Sequence, residues 1–165
     1  MTQFCRFIGL VMLATASLRA EPPGASELSD KIRPVKAEIT GDGFEFQEMR
    51  ANTQAFSMRQ YVWSNVPAGI NGLLFTQMAG GGTATIHLKA KEAGRVFVAV
   101  AANQMLDLRE KGWTLPMPDR SNTFTYNDVN HTTMIILSRE VTKGEELDIP
   151  QLGWTGTIVL VPSDF

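Results

Sequence analysis

An all-β fold, a two-sheet antiparallel sandwich or jelly roll, is what the sequence predicts, and three observations carry the prediction. Short runs of β-type composition, about ten of them, recur at near-regular spacing between breaks rich in Gly, Pro and Asn. Good helix formers follow one another only near 104–111, so strands do not alternate with helices. The run at 95–102 is nearly all apolar, which suits a strand covered on both faces at the centre of the fold. A closed barrel is the second choice, and none of the three tryptophans sits in a recurring context that would mark a propeller or solenoid.

The chain begins with features of an export signal. Residues 1–20 combine Arg6, an apolar run from 7 to 14 and small residues at Ala14, Ala16 and Ala20, which read as a secretory signal peptide cleaved after Ala16 or Ala20. The apolar run is too short for a membrane span, which needs about 20 residues. Cleavage takes Arg6 and Arg19 from the 15 basic residues, leaving 13 against 17 acidic ones, a balance of −4. It also removes Cys5, the single cysteine, so the secreted or periplasmic product is held by its core and not by disulfides. With no basic field, nucleic acid is excluded as a partner, and no membrane span is expected in the mature chain. Residues 21–34 carry three prolines, a glycine and mixed charge without period, the composition of a poorly ordered leader, and 35–165 then forms one domain.

Within that domain each element has a local reason. Residues 35–39 and 44–48 flank Gly41-Asp42-Gly43 and predict a first hairpin; Asp42 there is one carboxylate, far short of a calcium cage, though the fold leaves room for a stabilising calcium ion and requires no cofactor. Residues 56–63 form a strand with large groups on both faces. An apolar strand follows at 73–78, and Gly80 to Gly82 turn the chain as a flexible hairpin loop into 83–89. There Ala84, Ile86 and Leu88 alternate with Thr83, Thr85, His87 and Lys89, giving one buried and one wet face. The glycine run is followed by neither Lys nor a helix, so it is no phosphate loop. Gly112 closes the short helix, 113–118 is an extended piece limited by its prolines, and 123–126, 131–139, 145–149 and 156–161 supply four more strands.

Several short motifs taken together carry a resemblance: Arg59-Gln60-Tyr61-Val62-Trp63, Val66-Pro67, Asn71-Gly72-Leu73, the RVFVAV run at 95–100, and Gly112-Trp113-Thr114. The stretch 53–162 resembles the galactose-binding-like jelly-roll modules that accompany secreted bacterial glycoside hydrolases and sugar esterases. The resemblance implies a non-catalytic carbohydrate-binding module. Such modules often place charged residues straight after the central strand; here Ala101-Ala102-Asn103 follows, leaving Asn103 as the polar group on that edge.

Sugar recognition needs a flat aromatic face for the C–H surface of a pyranose and planar polar groups for its hydroxyls. Trp63, Trp113, Tyr126 and Trp154 are the candidate platforms, and Trp154, in a turn-rich stretch, is the one expected to be exposed. Arg59, Asn65, Asn71, Asn103, Arg120, Asn127, Asp128 and Asn130 are the candidate hydrogen-bonding groups. Catalytic arrangements are less well supported. His87 and His131 lie on separate strands without a metal-ligand spacing, no GxSxG elbow occurs, and Glu145 and Glu146, as neighbours on a strand, point to opposite faces. The expectation is a non-enzymatic module for carbohydrate or another extracellular polymer. An envelope docking or adhesion unit that binds proteins is the alternative, and a small hydrolase comes third.

Overall fold

The computed structural model of the chain describes residues 32–81, 83–116 and 122–165. Among them are ten strands: β1 (Ala37–Asp42), β2 (Phe44–Glu48), β3 (Trp63–Ser64), β4 (Leu74–Met78), β5 (Thr85–Ala90), β6 (Gly94–Ala101), β7 (Thr123–Tyr126), β8 (Thr133–Val141), β9 (Glu146–Asp148) and β10 (Ile158–Val161). They make two sheets, β1-β5-β9 and β2-β4-β10-β6-β8-β7-β3, with every strand pair antiparallel. The β-sandwich expected from the spacing of the runs is therefore the fold.

The apolar run is its centre. β6 lies between β10 and β8, with Val98 opposite both Val159 and Leu137, and its side chains from Val96 to Ala101 are buried on both faces. One layer is the small sheet, whose middle strand β5 turns Ile86, Leu88 and Ala90 into the core and Thr85, His87 and Lys89 to solvent, as the alternation requires. Chain outside the strands adds Ile32, Met49, Phe56, Ile70, Leu108 and Trp113 to the same buried cluster. The single α-helix of the described residues, α1 (Met105–Arg109), is led in by a 3₁₀ turn, Ala102–Gln104. Just past it Gly112 takes φ +86°, the left-handed conformation expected of a helix stop.

Four expectations need correction. Gly41-Asp42-Gly43 does not close a hairpin: β1 pairs with β5 and β2 with β4, so the chain bends at Gly43 out of one sheet into the other. The corner is tight, because a Cβ on Gly41 would lie 1.8 Å from the Thr85 carbonyl oxygen. Nor does the glycine run close a hairpin, since β4 and β5 belong to different sheets, and Gly43 faces Thr83 and Ala84 at the same corner. The expected strand at 56–63 shrinks to Trp63 and Ser64; residues 54–62 fold back on themselves, with Ala55 N–H donating to Tyr61 O at 2.8 Å and Arg59 N–H to Phe56 O at 3.1 Å. Finally, the packed domain reaches back into the expected leader: Ile32 is 3% exposed, and Val35 N–H donates to Arg95 O at 2.9 Å beside a parallel bridge from Pro34 to Arg95. The signal peptide and the rest of the leader lie outside the described residues.

A candidate glycan-binding face at one end of the sandwich

The strand register brings five segments to one end of the large sheet. β4, β6 and β7 finish there and β8 and β10 begin there, so the segments 53–62, 79–84, 102–109, 127–132 and 149–157 are neighbours. Arg59, Asn103, Tyr126, Asp128 and Trp154 all come from this end.

Trp154 is its exposed centre. The indole is 42% exposed and packs edge-on to Phe56, ring centroids 5.1 Å apart, and to Tyr61 at 6.2 Å. The Arg59 guanidinium carbon lies 5.7 Å from the indole centroid, within reach of a cation–π contact. Tyr61 continues the aromatic row to Tyr126 at 5.6 Å, and Phe56, Trp63 and Tyr126 anchor it in the core. The indole N–H makes no hydrogen bond among the described residues, and its edge lies against Gly81, where a Cβ would sit 2.6 Å from Nε1.

The loop that holds Trp154 is heavily tied. Gly81 N–H donates to Trp154 O at 3.1 Å. Thr157 N–H donates to Gln151 Oε1 at 3.0 Å, and the Thr157 hydroxyl donates to Pro150 O. With its amide nitrogen donating to Leu152 O at 3.0 Å, Gln104 accepts from Gly153 N–H at 3.1 Å. Gly153 is required at that contact, because its φ is +54° and a Cβ would meet the Gln104 amide at 1.6 Å. An exposed ring on a loop fixed by so many bonds loses little further freedom when a ligand stacks on it.

At the same end is a cleft of about 340 Å³, lined by Phe44, Glu45, Ser57, Gln77 and Ala79 together with Gly43 but not by Trp154 itself. It shares the 54–62 and 79–84 segments with the platform. Within it Gln77 is buried, and its amide nitrogen donates to Gln54 O at 2.6 Å.

The other expected residues separate into several groups. Trp63 and Trp113 are buried and present no face to a ligand; Trp63 meets Phe75, Phe124 and Tyr126 edge-to-face in the core. Tyr126 is buried too, and burial pushes its phenol above the ordinary value, opposed by a hydrogen bond with Thr132 and reinforced by Asp128 and Tyr61. Asp128 shapes its own turn, accepting from Thr132 N–H and from the Thr132 hydroxyl, each at 2.7 Å. Asn127 likewise accepts from Val62 N–H at 2.7 Å. Asn65, exposed at φ +53°, donates to Thr125 Oγ1 at 3.3 Å on the flank of β7, whereas Asn103 is exposed on the 3₁₀ turn. Arg120 lies outside the described residues. Tyr61, Phe56, Gln104 and Gly153 are the members that sequence reasoning missed. The RQYVW stretch contains the first of them, but reading it as a strand concealed the fold-back that places Arg59 and Tyr61 beside Trp154.

The wet face of the small sheet is polar. A shallow depression of about 300 Å³ there is lined by Glu38, Thr40, His87, Lys89, Glu146 and Asp148 with the edges of Leu88 and Leu147. His87 Nδ1 meets Asp148 Oδ1 at 2.5 Å and Lys89 Nζ meets Glu146 Oε1 at 2.7 Å, pairs that all stand in solvent. Glu145 instead binds Thr142 and Arg139, so the neighbouring glutamates do face opposite ways. Among the described residues no three His, Cys, Asp or Glu side chains are placed to share a metal ion. Nor, among them, is any helix long and apolar enough to cross a membrane.

No family model and no curated protein matches the chain. Among solved structures it is similar to a GH138 enzyme targeting pectin rhamnogalacturonan II, with a TM-score of 0.57 and 16% identity over 78% of this chain. The chain spans 16% of that enzyme's length. At this identity the likeness establishes a shared β-sandwich fold, found here within a carbohydrate-active enzyme.

Proposed function

We propose that the protein is an exported, non-catalytic module that binds carbohydrate at the end of the sandwich where Trp154 is exposed. The observation that carries this reading is a partly exposed indole on a loop fixed by hydrogen bonds and flanked by Tyr61 and Arg59. A pyranose stacks its C–H face on such a ring, while the indole N–H and the guanidinium serve its hydroxyls. The resemblance of the short motifs to galactose-binding-like modules supports the same reading, as does the likeness in fold to a GH138 enzyme targeting pectin rhamnogalacturonan II.

Tryptophan fluorescence tests it directly, because two of the three tryptophans are buried and Trp154 is the one that a sugar can reach. Titration with soluble oligosaccharides, pectic ones included, is expected to give a saturable emission shift that disappears in Trp154→Ala. Absence of any shift across a broad glycan panel, with the protein shown to be folded, rules the reading out. That result would favour protein docking, which has its own observation. Met58 is 72% exposed, Leu106 63% and Val129 95%, and all three lie at the same end as Trp154.

A further inference from the structure

We infer that the Trp154 platform selects acidic sugars, taking the carboxylate of a uronic acid on the Arg59 guanidinium while the sugar ring stacks on the indole. The inference rests on the carbohydrate-binding reading above and goes further by naming the ligand class. Its ground is how the arginines of this surface are partnered. Arg50 meets Glu48 at 2.5 Å, Arg95 meets Glu140 at 2.5 Å and Arg139 meets Glu145 at 3.2 Å. Arg59 and Arg109, both exposed, have no carboxylate partner among the described residues, and of the two it is Arg59 that lies by the indole, donating to the Met58 carbonyl at 3.0 Å. One of its nitrogens serves that carbonyl, and the remaining donors of the planar fork stay open for a second group.

Among the described residues no carboxylate lies within ion-pair distance of that guanidinium. Asp128, the acidic group of the neighbouring turn, has both oxygens engaged by Thr132. A carboxylate is the group whose geometry matches the open fork, accepting two parallel N–H bonds where a neutral hydroxyl accepts one. Glu45 and Ser57 in the cleft at the same end are suited to hydroxyls, so charge is read at the platform and neutral ring positions in the cleft.

The test compares two probes that share a backbone and differ in charge: de-esterified oligogalacturonate and the fully methyl-esterified form of the same length, titrated calorimetrically against the full chain. The de-esterified form is expected to bind about fivefold more tightly, the upper range for an exposed charge pair, and the advantage should shrink as salt is raised. In Arg59→Gln the two forms should bind alike, and in Arg59→Lys part of the preference should return. Arg59 is exposed, and an unchanged urea midpoint in both variants verifies that the fold is intact. Equal binding of the two forms by the unmodified protein overturns the acidic preference and leaves carbohydrate binding standing. A preference that survives in Arg59→Gln overturns the role of Arg59. If neither form binds and the neutral panel is also silent, the carbohydrate reading fails and this inference fails with it.

Discussion

At the scale of single residues the three tryptophans make opposite contributions, and the difference is measurable. Trp63 is fully buried among Phe56, Phe75, Phe124 and Tyr126. Trp63→Ala should lower the unfolding free energy by about 3–5 kcal/mol in urea titration, the usual loss when a buried aromatic side chain is deleted. Trp154→Ala removes a ring that already meets water, so it should leave stability within about 1 kcal/mol while abolishing the response to sugars. Acrylamide should quench the part of the emission that Trp154→Ala removes, and quenching of most of the emission would show the core to be open. Gly153 makes a second contrast. Gly153→Ala places a methyl into the Gln104 amide at positive φ and should cost more than about 1 kcal/mol, with weakened binding because the Trp154 loop is displaced.

At the scale of elements, the turn at 127–132 tests whether a polar side chain near the platform acts on ligand or on chain. Asp128 holds Thr132 through two bonds, so Asp128→Ala should destabilise by about 1–3 kcal/mol and speed amide exchange at Thr132, with sugar affinity unchanged. Loss of affinity at intact stability would place Asp128 in the ligand site instead. This turn also shows what the sequence could convey. Strands were legible wherever one periodicity prevailed, as in Ile86-His87-Leu88 of β5 or the unbroken apolar run of β6. The segment 54–62 was not legible, because large groups at every position give no period, and its fold-back depends on bonds such as Gln54 Nε2 to Arg59 O at 2.7 Å. The glycine runs were recognisable as breaks in the chain. Which sheet each flanking strand joins is decided by tertiary packing, and here the sheets differ on either side of Gly43 and of the 79–84 segment. Among the site residues, Trp154 was legible from its turn-rich context, whereas Trp63, in an expected strand, and Trp113, in an expected extended piece, are buried by packing against other elements that their own segments do not reveal.

At the scale of the whole molecule, charge pairs on the surface set the pH range of stability. Hydrogen bonds from Thr142, with help from Arg139, hold the Glu145 carboxyl below its ordinary value; Lys89 does the same for Glu146, and Lys36 for Asp164. Each carboxyl is more readily ionised when folded, so the unfolded chain binds more protons and stability falls as pH drops from the ordinary carboxyl range toward these lower values. In the other direction, burial raises the Tyr126 phenol, and pairing with Asp164 and Glu146 raises Lys36 and Lys89. Those contributions are intact below the ordinary phenol and amine values and are lost as pH rises through the raised ones. The urea midpoint should therefore be level around neutrality and decline on both sides, and Glu145→Gln should make the acid decline shallower. An acid limb unchanged in that variant would show that Glu145 is not a contributor.

The pairing of Lys36 with Asp164 at 2.7 Å, and of Phe46 with Phe165 at 4.6 Å between ring centroids, has another consequence. Both extremities of the folded unit meet beside the start of β6, while Trp154 lies past the far end of that strand, roughly 20 Å away at the usual rise per residue. The two extremities of the described unit therefore lie at the end opposite Trp154. Joining residue 165 to residue 32 through a short flexible linker and opening the chain at the exposed Lys143-Gly144 turn should give a permuted protein that folds and keeps its ligand response. For the same reason, fixing the protein to a sensor surface through either extremity should leave sugar capture undiminished, whereas fixing it through a cysteine introduced at Met58 should abolish it.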